Sequence, residues 1–317
     1  MLIFIAALCV GFLLLMWSAN IFADNALQLG QYFDIPKILI GIVILGFGTS
    51  APELLVSAFS AWQGNPGLAI GNAIGSNITN ILLVLGVTLC ILAIKIDAKI
   101  IRGNFFLLLA STVLFSVLII DQKLTFIDGA LLAVALVFTL YLLSRFEPAA
   151  EETTEVHTPT NSLAKMNLGL ILGLAILLAS SKLVVWSATE IATQLGVSDL
   201  VIGLTIVALG TSLPELATCA VSAYKNHSEL ALGNIVGSNI FNTLGVTATA
   251  SLIATYTLPN QIFSRDYPVM LIATAVLFLL VIFFSRKKQI PRGFGIMFLA
   301  GYLSYMYLIY HQAQTAA

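Results

Sequence analysis

Residues 48–54 read GTSAPEL and residues 71–80 read GNAIGSNITN, and 162 positions further on the chain reads GTSLPEL at 210–216 and GNIVGSNIFN at 233–242. The surrounding segments, 41–86 and 203–248, align without a gap and share 22 of 46 positions. Self-similarity of this kind marks a duplicated structural unit. The likeness extends outward in weaker form: WSA at Trp17 recurs at Trp186, and IIRGN around Arg102 recurs as IFSRD around Arg265. Each copy is therefore a half-chain with the motifs at its centre.

Both copies are embedded in apolar sequence. Of the 317 residues, 59% are hydrophobic and 9% charged, against roughly 45–50% and 25% in soluble globular proteins. So few charges cannot cover a soluble surface, and a disordered chain needs the opposite balance. The composition specifies an all-α polytopic membrane protein. A net charge of −1 lacks the basic footprint of a nucleic-acid binder. Cys9, Cys90 and Cys219 each lie in apolar runs and read as small packing residues. The first apolar stretch has no positive n-region and recurs near residue 170, so it counts as a span rather than a signal peptide.

A transmembrane helix needs about 20 apolar residues, and ten such stretches fit: 2–20, 37–61, 68–93, 104–120, 126–144, 167–188, 200–224, 230–254, 267–285 and 293–311. Five spans per copy is an odd number, so the second copy must enter the membrane from the opposite side. The expected organisation is a first repeat at 1–145, a polar linker at 146–166, and an inverted second repeat at 167–317. Inverted repeats characterise secondary transporters, whose binding site lies near the bilayer midplane at the repeat interface. If the spans alternate, eleven of the fourteen Lys and Arg residues, from Lys37 to Arg292, share one side with the linker. The positive-inside rule makes that side cytoplasmic and leaves both termini outside.

The only ionisable groups deep in the second and seventh spans are Glu53 and Glu215. At about 1.5 Å per residue, Glu53 lies some 24 Å along the helix from Lys37, too deep to snorkel out. A mid-bilayer charge costs at least about 2.5–3.5 kcal/mol and calls for a partner, yet the motif spans carry no basic residue. A cation is the simplest partner. Pro52 and Pro214 adjoin the two acids, with Gly48 and Gly210 in the same turns, so carbonyls around Thr49 and Thr211 should be freed from helix bonding. Such backbone persists at this depth only where it lines a cavity or binds something. The third and eighth spans are expected to be interrupted likewise by Gly71, Gly75, Gly233 and Gly237. They carry Ser76, Asn77, Asn80, Ser238, Asn239 and Asn242, and Ser76 with Asn80, like Ser238 with Asn242, shares one helix face at i,i+4. Asn77 and Asn239 fit either ion binding or holding the interruption together. Hard oxygen donors without His or Cys suit Ca²⁺ or Na⁺, and two negative charges balance one Ca²⁺ or two Na⁺. Gly41, Ala58, Ser60, Ala61, Gly203, Ala220, Ser222 and Ala223 read as helix-packing positions. His157, His227 and His311, with Glu151, Glu152 and Glu155, read as solvated.

The paired motifs GTSxPE and GNxxGSNxxN, repeated in order, resemble the alpha-repeats of the cation/calcium antiporter superfamily, in its sodium/calcium exchanger branch. The small size and short linker are similar to prokaryotic members. The resemblance implies the sodium/calcium exchanger fold of ten helices, with the first and sixth as long, tilted gating helices. It implies calcium held by Glu53 and Glu215 with the carbonyls of Thr49 and Thr211. Sodium sites would share these and add Ser50, Ser76, Ser212 and Ser238 with the carbonyls of Gly46 and Ala208, while Asn80 and Asn242 complete the centre. Some family members, potassium-dependent exchangers among them, carry Asp where this chain has Asn242, which argues against potassium co-transport. The implied activity is Ca²⁺/Na⁺ antiport by alternating access in a prokaryotic plasma (inner) membrane, normally exporting Ca²⁺. The protein would act as a monomer, with no cofactor and no enzymatic chemistry. Ca²⁺/H⁺ antiport through the same glutamates is the alternative, and a cation channel a more distant one.

Overall fold

The computed structural model describes residues 1–64, 66–95, 98–146, 162–196, 208–285 and 287–315. Most of the expected linker, the start of the expected seventh span and Gly203 lie outside these residues, as do His157, Glu151, Glu152 and Glu155. The chain forms α1 (Leu2–Tyr32), α2 (Lys37–Thr49), α3 (Ala51–Trp62), α4 (Gly67–Ile91), β1 (Ile94–Lys95), α5 (Ala98–Leu118), β2 (Lys123–Leu124), α6 (Phe126–Phe146) and α7 (Leu163–Gln194). A turn of helix at Ala208–Gly210 then leads into α8 (Leu213–Tyr224), and α9 runs over residues 228–253. β3 (Tyr256–Thr257), α10 (Ile262–Phe284), β4 (Gln289–Ile290) and α11 (Gly293–Thr315) complete the fold. Among the described residues, six helices are long and apolar enough to cross a membrane, and α2 with α3 makes a seventh, bent by 41°. The fold is all-helical apart from four two-residue strands.

Two helices exceed the expected spans 2–20 and 167–188. α1 has 31 residues and α7 has 32, about 46–48 Å at 1.5 Å per residue, against a hydrocarbon core of about 30 Å. Hydropathy marks only the apolar part of such a helix. Its continuation through Asp24, Asn25 and Gln28 has no breaker and packs on the rest of the protein, with Ala26, Leu27 and Gly30 buried. α1 and α7 lie along each other, with Gly11 against Val184 and Gly173 against the backbone of Phe22.

The expected interruption of the third and eighth spans at their glycines is not what the structure shows. Gly71, Gly75, Gly233 and Gly237 all lie in regular helix. The backbone instead widens to i→i+5 bonding a few residues later, at Asn80–Val84 and Phe241–Val246. Gly233 and Gly237 serve close packing: a methyl group on either would collide with the Ile38 or Ile42 carbonyl of α2. Gly41 and Gly46 complete the contact from the other side, against Gly233 and Gly237. Small residues let two backbones meet where lipid offers no hydrophobic drive for association.

Two antiparallel ribbons tie the half-chains together. β1 pairs with β4 through Ile94–Ile290, and β2 with β3 through Leu124–Tyr256. Each ribbon takes one strand from either half, and Ile94, Leu124, Tyr256 and Ile290 are buried in the larger apolar cluster.

The α2–α9 contact leads to a stability prediction. Gly233→Ala or Gly237→Ala should each destabilise the protein by about 1–3 kcal/mol, as overpacked cores do, and lower the midpoint of thermal unfolding in detergent. Gly293→Ala, where nothing stands within 4 Å of the added carbon, should leave the midpoint unchanged or slightly raised.

Candidate functional site

The GTSxPE motif folds the same way in both copies. Proline lacks the N–H that would bond the carbonyl four residues back, so Pro52 deprives Gly48 and Pro214 deprives Gly210 of a helical partner. The chain turns at Ser50 (φ −82°, ψ 2°) and at Ser212 (φ −90°, ψ 5°), in the bridge region of backbone space. A fresh helix then starts, with Glu53 in the first turn of α3 and Glu215 in the first turn of α8. The positive end of each half-helix favours the carboxylate by about 0.3–1 kcal/mol, up to about 2 where partly buried. That recovers only part of what burial costs.

Glu53 and Glu215 are both fully buried. Glu215 Oε1 accepts from Ser50 Oγ of the first copy at 3.3 Å and from Ser238 Oγ of its own copy at 3.4 Å. Glu53 Oε1 accepts from Ser76 Oγ at 3.5 Å, with Thr211 of the second copy nearby. Thr49 Oγ1 donates to Leu45 O at 2.9 Å and meets Ser238 Oγ at 3.3 Å. Ser238 Oγ also reaches Gly46 O at 3.4 Å. Each acid is thus met by a serine of its own copy, and Glu215 by a serine of the other as well.

The second oxygens of both glutamates, Ser212 Oγ and both amide atoms of Asn80 and of Asn242 are buried without a hydrogen-bond partner. An unsatisfied buried polar atom costs about 1–3 kcal/mol, more when charged, so these groups do not serve stability. Among the described residues the ion pairs are Asp24–Lys225 and Arg265–Asp266, and neither touches these acids. No group of three or more His, Cys, Asp or Glu side chains forms a metal cluster among the described residues. The donor set is two carboxylates surrounded by hydroxyl, amide and carbonyl oxygen, which fits a hard cation.

Several contributors were not legible as site residues. Asn234 Oδ1 accepts from Thr49 Oγ1 at 3.2 Å, while its amide nitrogen donates to Cys219 Sγ at 3.2 Å. In the first copy Asn72 donates to Ser57 Oγ at 3.2 Å and to Glu53 O at 3.3 Å. The signal was available: Asn72, Ser76 and Asn80, like Asn234, Ser238 and Asn242, recur at i,i+4,i+8 on one helix face. The Gly210 carbonyl released by Pro214 accepts from Ser181 Oγ of α7 at 2.9 Å, a contact that spacing could not reveal. Asn77 donates to Thr243 Oγ1 at 2.8 Å and Asn239 to Ile235 O at 2.8 Å, so their nitrogens join helices or turns while their oxygens stay unpaired.

Comparison with known proteins agrees with this architecture. The family model described as sodium/calcium exchanger protein matches residues 3–145 and 166–311. The chain belongs to the sodium/calcium exchanger family. It is 41% identical to CaxA of Alkalimonas amylolytica over 308 residues, covering 95% of this chain and 97% of the relative. It is 34% identical to the inner membrane protein YrbG of Escherichia coli (strain K12), covering 98% of each. The structure superposes on that of the sodium-calcium exchanger NCX_Mj soaked with zero Na⁺ and Ca²⁺ with a TM-score of 0.84 and 33% identity, over 96% of this chain and 98% of that one. This family member is an integral membrane protein of the antiporter type.

Because Asn234 holds the Thr49 hydroxyl beside Ser238, Asn234→Ala should weaken Ca²⁺ binding by up to about tenfold, the worth of one net hydrogen bond. Isothermal titration of the purified protein checks this. Asn234→Asp, which keeps the acceptor, should lose less.

Proposed function

We propose that the protein exchanges Ca²⁺ for Na⁺ across the membrane by alternating access, normally exporting Ca²⁺. The transported ions bind at Glu53 and Glu215 with Thr49, Thr211, Ser50, Ser212, Ser76, Ser238, Asn80 and Asn242. The observation that carries this reading is the crossing of the two copies at the acids, where Ser50 of the first motif reaches Glu215 of the second and the outer oxygens of both carboxylates remain unpaired. One Ca²⁺ or two Na⁺ neutralises the two charges, so calcium and sodium compete for the same oxygens. Competition for one set of ligands is the minimum requirement for coupled exchange. The family and the likeness to NCX_Mj support calcium and sodium as the ions. With an amide at Asn242, the site lacks a third acid and does not call for potassium as well.

The architecture that serves this function is ten spans in two inverted five-helix repeats, 1–145 and 167–317, joined by a cytoplasmic linker at 146–166. It is supported by the motif duplication and by the two ribbons, which exchange roles when the halves are exchanged. The bias of eleven Lys and Arg residues toward one face supports an orientation with that face in the cytoplasm and both termini outside. The relative YrbG is named an inner membrane protein, and we assign this chain to the same kind of membrane. Both acids come from one chain, so a monomer holds a complete site. Binding and translocation are the whole of the chemistry, with no cofactor and no enzymatic step.

In proteoliposomes loaded with Na⁺, the protein should take up ⁴⁵Ca²⁺ against its gradient, and Glu53→Gln or Glu215→Gln should reduce uptake to background. Uptake that follows an imposed pH gradient in sodium-free buffer, and ignores sodium, would replace Na⁺ by H⁺ as the driving ion.

A further inference from the structure

Asp24 of α1 and Lys225 at the end of α8 form an ion pair in which Nζ donates to both carboxylate oxygens, at 2.6 and 2.7 Å. The relation that maps Trp17 onto Trp186 maps Asp24 onto Thr193, and the motif offset maps Lys225 onto Gln63. Neither counterpart is charged, both are exposed, and the Thr193 hydroxyl donates to Thr189 O of its own helix at 3.0 Å. One face of the protein is fastened by a charge pair with no charged equivalent at Gln63 and Thr193.

Packing shows the same asymmetry. Ala217 and Val221 of α8 are buried in a cluster with Leu15, Ala19 and Phe22 of α1. Their counterparts on α3, Leu55 and Phe59, are 58% and 54% exposed. α1 is seated over α8, whereas α7 is not seated in the same way over α3. Two inverted repeats of identical sequence would populate the two conformations related by the pseudo-two-fold axis equally, so any preference must come from side chains that differ between them.

We propose that the Asp24–Lys225 pair is a latch that holds α1 on α8 and biases the protein toward the conformation closed on the Lys225 face. That face is the cytoplasmic one in the orientation given above, and the inference rests on the alternating-access reading. His227 stands close enough to feel the charges of Asp24, Lys225 and Lys37. Burial first, then Lys37 and Lys225, hold His227 below its ordinary imidazole value, so the latch consists of the Asp and the Lys. Both partners are about a third exposed (31% and 36%), and pairs of that kind shift an equilibrium by up to about fivefold. The latch is a bias rather than a lock.

Hydrogen–deuterium exchange on the full chain in lipid nanodiscs tests this without relying on transport. In Asp24→Asn and Lys225→Gln, amides of α1 around residues 18–30 and of α8 around 217–225 should exchange up to about fivefold faster, and those of α3 around 53–60 correspondingly slower. The charge-reversed double variant Asp24→Lys with Lys225→Asp should restore the original pattern, which also controls for misfolding of the single variants. Faster exchange confined to α1, unchanged protection of α3, or a double variant that resembles the singles would overturn the latch. A protein that shows the predicted shifts yet moves no Ca²⁺ under a sodium gradient would retain the latch and lose the exchange reading.

Discussion

Two carboxylates are buried near one another without a counter-charge, and the rest of the molecule is arranged around that fact. An isolated ionised group inside a low-dielectric interior costs several kcal/mol even after relaxation. The favourable ends of two half-helices and a ring of hydroxyls recover part of this. The remainder is a standing affinity for positive charge, and the unpaired outer oxygens of Glu53 and Glu215 show where that charge is wanted. A basic side chain would have satisfied the site permanently. A mobile ion satisfies it only while bound, which is what a carrier needs.

The surrounding structure makes such a site tolerable and movable. The backbone contact of α2 with α9 through Gly41, Gly46, Gly233 and Gly237 keeps the elements bearing Thr49 and Ser238 together. The break at Ser50 divides α2 from α3 at a 41° bend, and the turn at Ser212 starts α8 afresh after the short helix Ala208–Gly210. The widened turns at Asn80–Val84 and Phe241–Val246 begin at or beside the two asparagines with unpaired amides, consistent with the frequent placement of such turns at functional sites. α1 and α7 are long helices packed along each other, and α1 covers the α8 helix that carries Glu215.

Much of this was legible in the sequence. The buried acids, the prolines beside them and the repeated Ser/Asn stripes are each unusual for a lipid-embedded helix, and in the structure Ser76 reaches Glu53 and Ser238 reaches Glu215. The extent of α1 and α7 was not legible, because hydropathy stops where polar residues begin while helix propensity and packing carry on through Asp24 and Asn25. The glycines of the second motif misled in a specific way: a flexible residue in a helix suggests a break, but Gly233 and Gly237 are there because α2 leaves no room for a side chain. Asn234 meets Thr49 of the other copy, while Asn72, Cys219 and Ser181 meet partners on neighbouring helices of their own copy, contacts that depend on how the helices pack. The Asp24–Lys225 pair joins residues 201 positions apart and breaks the internal symmetry, so a search for likeness between the halves passes over it.

The central claim is that Glu53 and Glu215 share a single cation. Crystals of the protein soaked in Sr²⁺ or Ba²⁺ and measured for anomalous scattering test it most directly. The account predicts one dominant anomalous peak within coordination distance of both carboxylates, at about 2.3–2.6 Å for Ca²⁺ and slightly longer for these larger ions, with oxygens of the GTSxPE turns completing the shell. A peak bound to only one glutamate, or ions bound elsewhere while both carboxylates remain bare, would contradict it.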